Sequence, residues 1–366
     1  MPGLDADCAG LFTVAFDGPT PTPELRELLA RGAAGVILFS RNVESAEQVA
    51  ELAAALKRAA GRPLLLSVDQ EGGRVARLRA RHGFTELPPM RALGDRGDEA
   101  LAHQAGVLLG RELRAVGIDL DYAPVVDVDT NPANPVIGDR AFSRDPSVVA
   151  RLGAALARGL QAAGVAACAK HFPGHGDTSQ DSHLELPRLP HGVERLRAVE
   201  LPPFTALARA GVASVMTAHV LFEALDPSRP ATLSAPALRL LREECGFDGP
   251  VLADDLEMKA LAAHYPVEEI VVEAVNAGVD GFLLCHGVEV QRRAVEALRR
   301  AVERGRVPRE RLAQARARMA RLLAWAGPPP DPRRARAALR TPEHLALAER
   351  IGPLVAAMDP TERGRA

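Results

Sequence analysis

Residues 63–71 read Pro-Leu-Leu-Leu-Ser-Val-Asp-Gln-Glu: six residues of near-continuous apolar chain that stop abruptly in acids. A strand that is apolar on both faces belongs in a parallel sheet covered by helices. The same design recurs along the chain. Apolar runs fall at Leu11–Phe16, Gly35–Phe39, Pro63–Val68, Ile118–Val126, Val165–Ala169, Ala213–Thr217, Gly249–Ala253 and Asp280–Cys285. Amphipathic stretches separate them, at Thr22–Arg31, Glu44–Ala60, Asp98–Val116, Pro146–Ala163, Val193–Ala210, Ala235–Glu244, Val267–Ala277 and Val288–Arg304. Ser45, Asp98 or Ser147, and Ser234 are suited to cap helix starts. Gly32, Gly117, Gly164, Gly211 and Gly278 are suited to end them. Eight alternations predict an α/β fold, a (β/α)8 TIM-type barrel. A doubly wound open sheet is the alternative; the lack of a GxGxxG after the first strand weakens its dinucleotide-binding form.

The runs end alike: Ser40-Arg41-Asn42, Asp69-Gln70-Glu71, Asp127, Lys170-His171, His219, Asp254-Asp255 and His286. In a barrel these ends meet on one rim, where active sites are built. The densest is residues 170–183, KHFPGHGDTSQDSH, which holds three of the ten histidines. Pro173, Gly174 and Gly176 interrupt regular structure there. In extended chain, Asp181 and His183 share a side, so the carboxylate can fix the imidazole tautomer and raise its basicity. His171, His175, Asp177 and His183 could alternatively hold a divalent ion, though Pro173 and Gly174 keep the first two off one helix face. Of Asp254 and Asp255, strand neighbours, one faces the mouth and the other bonds backbone. The acids after residue 68 suit hydroxyls better than phosphate, with Gly72-Gly73 allowing a close approach or unusual dihedrals.

Composition excludes other classes. The 366 residues are 47% hydrophobic and 25% charged, with net charge −2. That is globular, with no basic block for nucleic acid. Aromatics make up only 4%, too few for base-stacking platforms. Cys8, Cys168, Cys245 and Cys285 form no CxxC pair and are expected as buried free thiols of a reducing compartment. No apolar run approaches the ~20 residues of a membrane span and no secretory pattern is visible, so a cytoplasmic location is expected. Residues 1–326 are expected to form the barrel domain. Residues 327–366 are expected to form a Pro-rich linker and helical tail that packs on the exterior or a partner and carries no chemistry.

The motifs GVILFSRN (35–42), DQEGGRVARL (69–78), DYAPVVDV (121–128), IGDRAFSRDP (137–146), KHFPGHGDTSQDSH (170–183), MTAHVLFEALDPSRPATLS (216–234) and GFDGPVLADDLEMKA (246–260) appear in this order. In this the chain resembles the glycoside hydrolase family 3 β-N-acetylhexosaminidases, in particular the bacterial single-domain β-N-acetylglucosaminidases of cell-wall recycling. The resemblance covers roughly residues 10–290. It implies a retaining hydrolase with Asp254 as nucleophile, His183 as acid/base and Asp181 as its dyad partner. Asp69, Arg77, Arg140, Lys170 and His171 would bind the sugar. The implied substrate is a terminal β-linked N-acetylglucosamine on a muropeptide or oligosaccharide. No cofactor or metal, no nucleic acid, no membrane and a monomeric chain are expected. Ala253 stands where the family more often has Ser or Thr. A phosphorylase or β-glucosidase on the same barrel, or a non-catalytic sugar-binding module, are the competing readings.

Overall fold

The computed structural model describes residues 3–182, 184–354, 359 and 361. The strands are β1 (Phe12–Val14), β2 (Gly35–Leu38), β3 (Leu65–Val68), β4 (Leu120–Asp121), β5 (Ala166–Phe172), β6 (Ser214–Thr217), β7 (Val251–Asp255) and β8 (Gly281–Leu284). Among the described residues these eight pair in parallel, each with its sequence neighbours, and β8 returns to β1 through Phe12–Phe282 to close the barrel. The register is set by apolar residues that are buried throughout, as in GVIL and LLSV. Helices α1 (Pro23–Arg31), α2 (Ala46–Ala60), α3 (Glu99–Ala115), α4 (Pro146–Ala162), α5 (Leu201–Arg209), α6 (Ala235–Glu243), α7 (Val267–Ala277) and α8 (Val288–Glu303) lie in the crossovers and surround it. The four cysteines are buried and free.

Local chemistry explains the boundaries. Ser45, Asp98 and Ser234 accept backbone N–H groups in the first turns of α2, α3 and α6. At α4 the cap is Asp145, which accepts from Ser147 N; Ser147 itself lies inside the helix. The fourth strand is shorter than the apolar run. Pro124 has no N–H to give, and the regular strand stops at Asp121. Backbone bonds to β5 continue past it, with Cys168 N donating to Ala123 O at 2.8 Å and Val126 N to Lys170 O at 2.7 Å. The helical stretch before α5 widens to a π-turn at Leu196–Glu200, directly ahead of Pro202 and Pro203, which cannot donate.

The segment after α9 (Arg309–Leu323) is pinned at the N-terminal end of the barrel. Asp119 accepts Gly327 N at 2.8 Å and pairs with Lys57 and Arg114. Helix α10 (Pro342–Ile351) then packs on α3, with His344 Nδ1 2.9 Å from Glu112. These contacts lie on the barrel exterior. Asp359 and Thr361 lie at the opposite end of the barrel, against Arg77. No described helix is long and apolar enough to cross a membrane.

Candidate active site

The C-terminal ends of the strands enclose a small cavity of about 40 Å³. Asp69, Arg77, Arg140, Lys170, His171 and Asp254 all line it. Its floor is an alternating row of charges. Asp69 follows β3 and Lys170 sits within β5, which runs on to Phe172 across a register shift after Ala169. Lys170 Nζ is 2.7 Å from both Asp69 and Glu71. Arg140, on the loop after β4, grips Glu71 with two bonds of 2.8 Å. Arg77, fully buried, donates to Asp69 at 3.2 Å. Burial alone would raise both carboxylates. Lys170 and Arg77 outweigh it at Asp69, and Arg140 and Lys170 bring Glu71 down to about 2. Burial also opposes the Lys170 charge, yet Asp69 and Glu71 hold that amine well above its usual range. The whole row is therefore ionised at neutral pH, and every member is held in place before any ligand arrives.

Gly72 and Gly73 form the turn of a hairpin that delivers Arg77. Both have positive φ (99° and 57°), and a Cβ on Gly73 would sit 2.7 Å from Pro89. Of the two uses their sequence allowed, unusual dihedrals is the one realised.

The second wall is built on Asp127, a fully buried carboxylate at the end of the β4 segment. Its Oδ2 lies 2.7 Å from His171 Nδ1. Its Oδ1 accepts the N–H of His171 (3.2 Å) and of His175 (2.7 Å). The carboxylate fixes Nδ1 as the protonated atom and leaves Nε2 available. Burial works against the Asp127 charge, but His171 lowers its pKa overall.

Asp254 ends β7. Its Oδ1 accepts Asp255 N at 2.8 Å. Burial raises its pKa, but His171 and then His219 outweigh that and lower it, so the group is an ionised carboxylate. Asp255 takes the structural part of the pair: its Oδ1 accepts Glu257 N and Cys285 N. His219 is held by Thr232 (2.8 Å) and by the carbonyl of Asp255 (3.0 Å), and burial depresses its pKa, keeping it neutral.

The loop from Pro173 is pressed onto the rim. A Cβ on Gly176 would lie 1.8 Å from Val128 O, so only glycine fits. His175 uses both ring nitrogens, on Thr178 (2.8 Å) and Ser182 (2.9 Å). Burial drops its pKa to about 4. Asp177 is engaged by Thr130 and His191, both at 2.6 Å. Of the four residues weighed as metal ligands, His175 and Asp177 commit their ring nitrogens and carboxylate to protein partners, while His171 keeps Nε2. A different trio, Asp255, Glu257 and His286, brings ligand atoms within 4.8 Å. There Glu257 receives the N–H of His286 and Gly287, the two residues that lead into α8. Ser182 lines the cavity and Asp181 is buried beside it. His183, expected as the acid/base, lies outside the described residues, and with it the expected Asp181–His183 contact.

Sequence reasoning left several contributors unassigned. Glu71, Asp127 and His219 stand at ends of apolar runs, and that position was their only signal. Asp359 and Thr361 carried none. Arg77 pairs with the Asp359 carboxylate and donates to Thr361 Oγ1 at 2.8 Å, and Thr361 lines the cavity. The tail is thus not confined to the exterior.

A parallel barrel with an ionised strand-end carboxylate beside a floor of fixed ion pairs is an arrangement suited to a glycoside hydrolase. The glycosyl hydrolase family 3 N terminal domain matches residues 4–322, and the chain belongs to that family. A family 3 β-N-acetylglucosaminidase from Paenibacillus sp. FPU-7 superposes with a TM-score of 0.88 at 44% identity, over 95% of this chain and 68% of that one. NagZ from Neisseria gonorrhoeae, solved with N-trifluoroacetyl-D-glucosamine, gives 0.78 at 34% identity, over 95% and 98%. A β-hexosaminidase of Nitrosomonas eutropha is 43% identical over 259 residues, 69% of this chain and 73% of that one.

Proposed function

We propose that the chain is a retaining β-N-acetylglucosaminidase that removes terminal β-linked N-acetylglucosamine from peptidoglycan fragments. The observation that carries this reading is Asp254: an ionised, half-buried carboxylate at the barrel mouth, beside a row of fixed donors. The relatives' names and the N-acyl glucosamine bound in the Neisseria structure support the glycone.

In this reading Lys170, Arg140, Arg77 and Asp69 take ring hydroxyls, and His171 Nε2 adds a further contact. Because these groups are already locked, little ordering is left for binding to pay. With Oδ1 held by Asp255 N, Asp254 Oδ2 attacks the anomeric carbon. His183 protonates the departing oxygen. A glycosyl–Asp254 ester forms; His183 then takes a proton from water, which attacks the same carbon and releases the sugar with its β configuration. An imidazole in the acid/base role, where most retaining enzymes use a second carboxylate, puts no like charge beside Asp254.

The test compares 4-nitrophenyl β-N-acetylglucosaminide with the β-glucoside, for the wild type and Asp254→Asn. The reading requires turnover of the first substrate in clear preference, and its loss to the detection floor in the variant. Undiminished turnover by the variant would remove Asp254 from the chemistry.

A further inference from the structure

We propose that the C-terminal end of the chain docks in its own sugar cavity and competes with substrate, with Asp359 and Thr361 taking the Arg77 guanidinium in place of ring hydroxyls. This rests on the glycosidase reading above, because it names a self-ligand for the same cavity.

Arg77 is fully buried and its two terminal nitrogens are spoken for. Nη1 pairs with the Asp359 carboxylate; Nη2 is shared between Asp69 (3.2 Å) and Thr361 Oγ1 (2.8 Å). The docked pair is shaped for this. Asp359 Oδ1 accepts both Thr361 N (2.8 Å) and Thr361 Oγ1 (2.7 Å), which turns Oδ2 and the hydroxyl toward the guanidinium together. The result is a carboxylate and a hydroxyl presented side by side, much as a sugar presents neighbouring oxygens. The Asp359 charge also acts on Arg140, the next cation along the floor.

Space points the same way. With Thr361 in its wall, the cavity is about 40 Å³. That admits ordered water, but it is far below the ~300 Å³ at which small-molecule sites begin. A pyranose therefore enters only if something leaves. Among the described residues, Thr361 is the lining residue that lies outside residues 4–322, the part matched by the family, and Asp359 reaches the cavity through Arg77. Among the described residues, the anchor that precedes them is at the end of α10, where Arg96 donates to Ile351 O at 3.2 Å. Seven residues lie between Ile351 and Asp359, so the chain makes eight steps from one to the other, enough for a reach of ~25 Å. A tether this short gives a local concentration in the millimolar range, so even a weak segment competes with substrate.

The experiment uses the full chain carrying Asp359→Ala and Thr361→Ala together. With the aryl β-N-acetylglucosaminide, KM is expected to fall about 3- to 10-fold at unchanged kcat, the signature of a tethered competitor removed. A synthetic peptide of residues 352–366, added to this variant, should restore the high KM competitively, and the same peptide with alanine at both positions should not. A KM that stays put or rises overturns the proposal; a rise with lower kcat would mean that the tail completes the site instead. If neither protein turns over any substrate, the glycosidase reading falls and calorimetry of the peptide on the double variant decides docking alone. Saturable binding that the alanine peptide lacks upholds it, and no binding ends it.

Discussion

Replacing Glu71 with glutamine keeps the shape of the side chain and removes one charge from the floor of the barrel. Glu71 is 1% exposed at the side chain and serves two cations, Arg140 through two 2.8 Å bonds and Lys170 at 2.7 Å. Lys170 keeps Asp69 as a partner. Among the described residues, Arg140 keeps only the Val136 carbonyl at 3.2 Å. Each contact is worth about 4 kcal/mol gross at an intermediate effective dielectric, and the desolvation of three charges is set against that. Removing one member of a buried pair strands the others, which costs about 3–5 kcal/mol. We expect Glu71→Gln to lose about 3 kcal/mol in urea unfolding at neutral pH. The pH dependence carries a second signature. Glu71 is lowered from 4.5 to about 2 in the folded chain, so its contribution is full above the unfolded value and drains as pH falls from 4.5 toward 2. The wild type should lose stability on the order of 3 kcal/mol across that window, and the variant should lose much less. Adding Arg140→Met should cost far less in the variant than in the wild type, since the stranded cation goes with it. A loss below about 1 kcal/mol, or strictly additive variants, would refute a coupled row.

The second wall gives two further expected outcomes. Asp127→Asn turns a charge-assisted contact to His171 into a donor facing a donor; a loss of about 1.5–3 kcal/mol corresponds to a drop of ~10- to 150-fold in kcat/KM, and a change under twofold would deny Asp127 its positioning role. The acid limb of kcat/KM should lie below the ordinary carboxylate value of 3.8, because Asp254 must be ionised and its folded pKa is lowered. Activity is lost as pH falls through that lowered value. Replacing His171 with alanine should move the limb upward, and a limb that does not move would mean that the limb reports another group.

The barrel was legible because a covered parallel strand leaves a plain mark, a short apolar run that ends in polar residues. Errors fell where one residue overrides the pattern. Pro124 truncates a strand whose side chains are otherwise suitable, and Asp145 takes a cap that Ser147 could equally have filled. The site was legible as far as position goes. Asp69, Lys170, His171 and Asp254 could be placed on one rim because strand ends share it. Which carboxylate meets which cation could not be read. Asp127 finds His171 across 44 residues and Glu71 finds Arg140 across 69, and such pairings depend on strand stagger and loop path. Asp359 is 282 residues from Arg77, joined to it by the route of the whole tail, and local composition says nothing about that route.

The central claim is that Asp254 carries the sugar in a covalent intermediate. It is tested most directly by incubating the protein with a fluorinated β-N-acetylglucosaminyl donor that forms the ester quickly and hydrolyses it slowly, then digesting and mapping the adduct by mass spectrometry. The account predicts one glycosyl adduct, on the peptide containing Asp254, absent from Asp254→Asn. No adduct during active turnover, or an adduct on another residue, would contradict it.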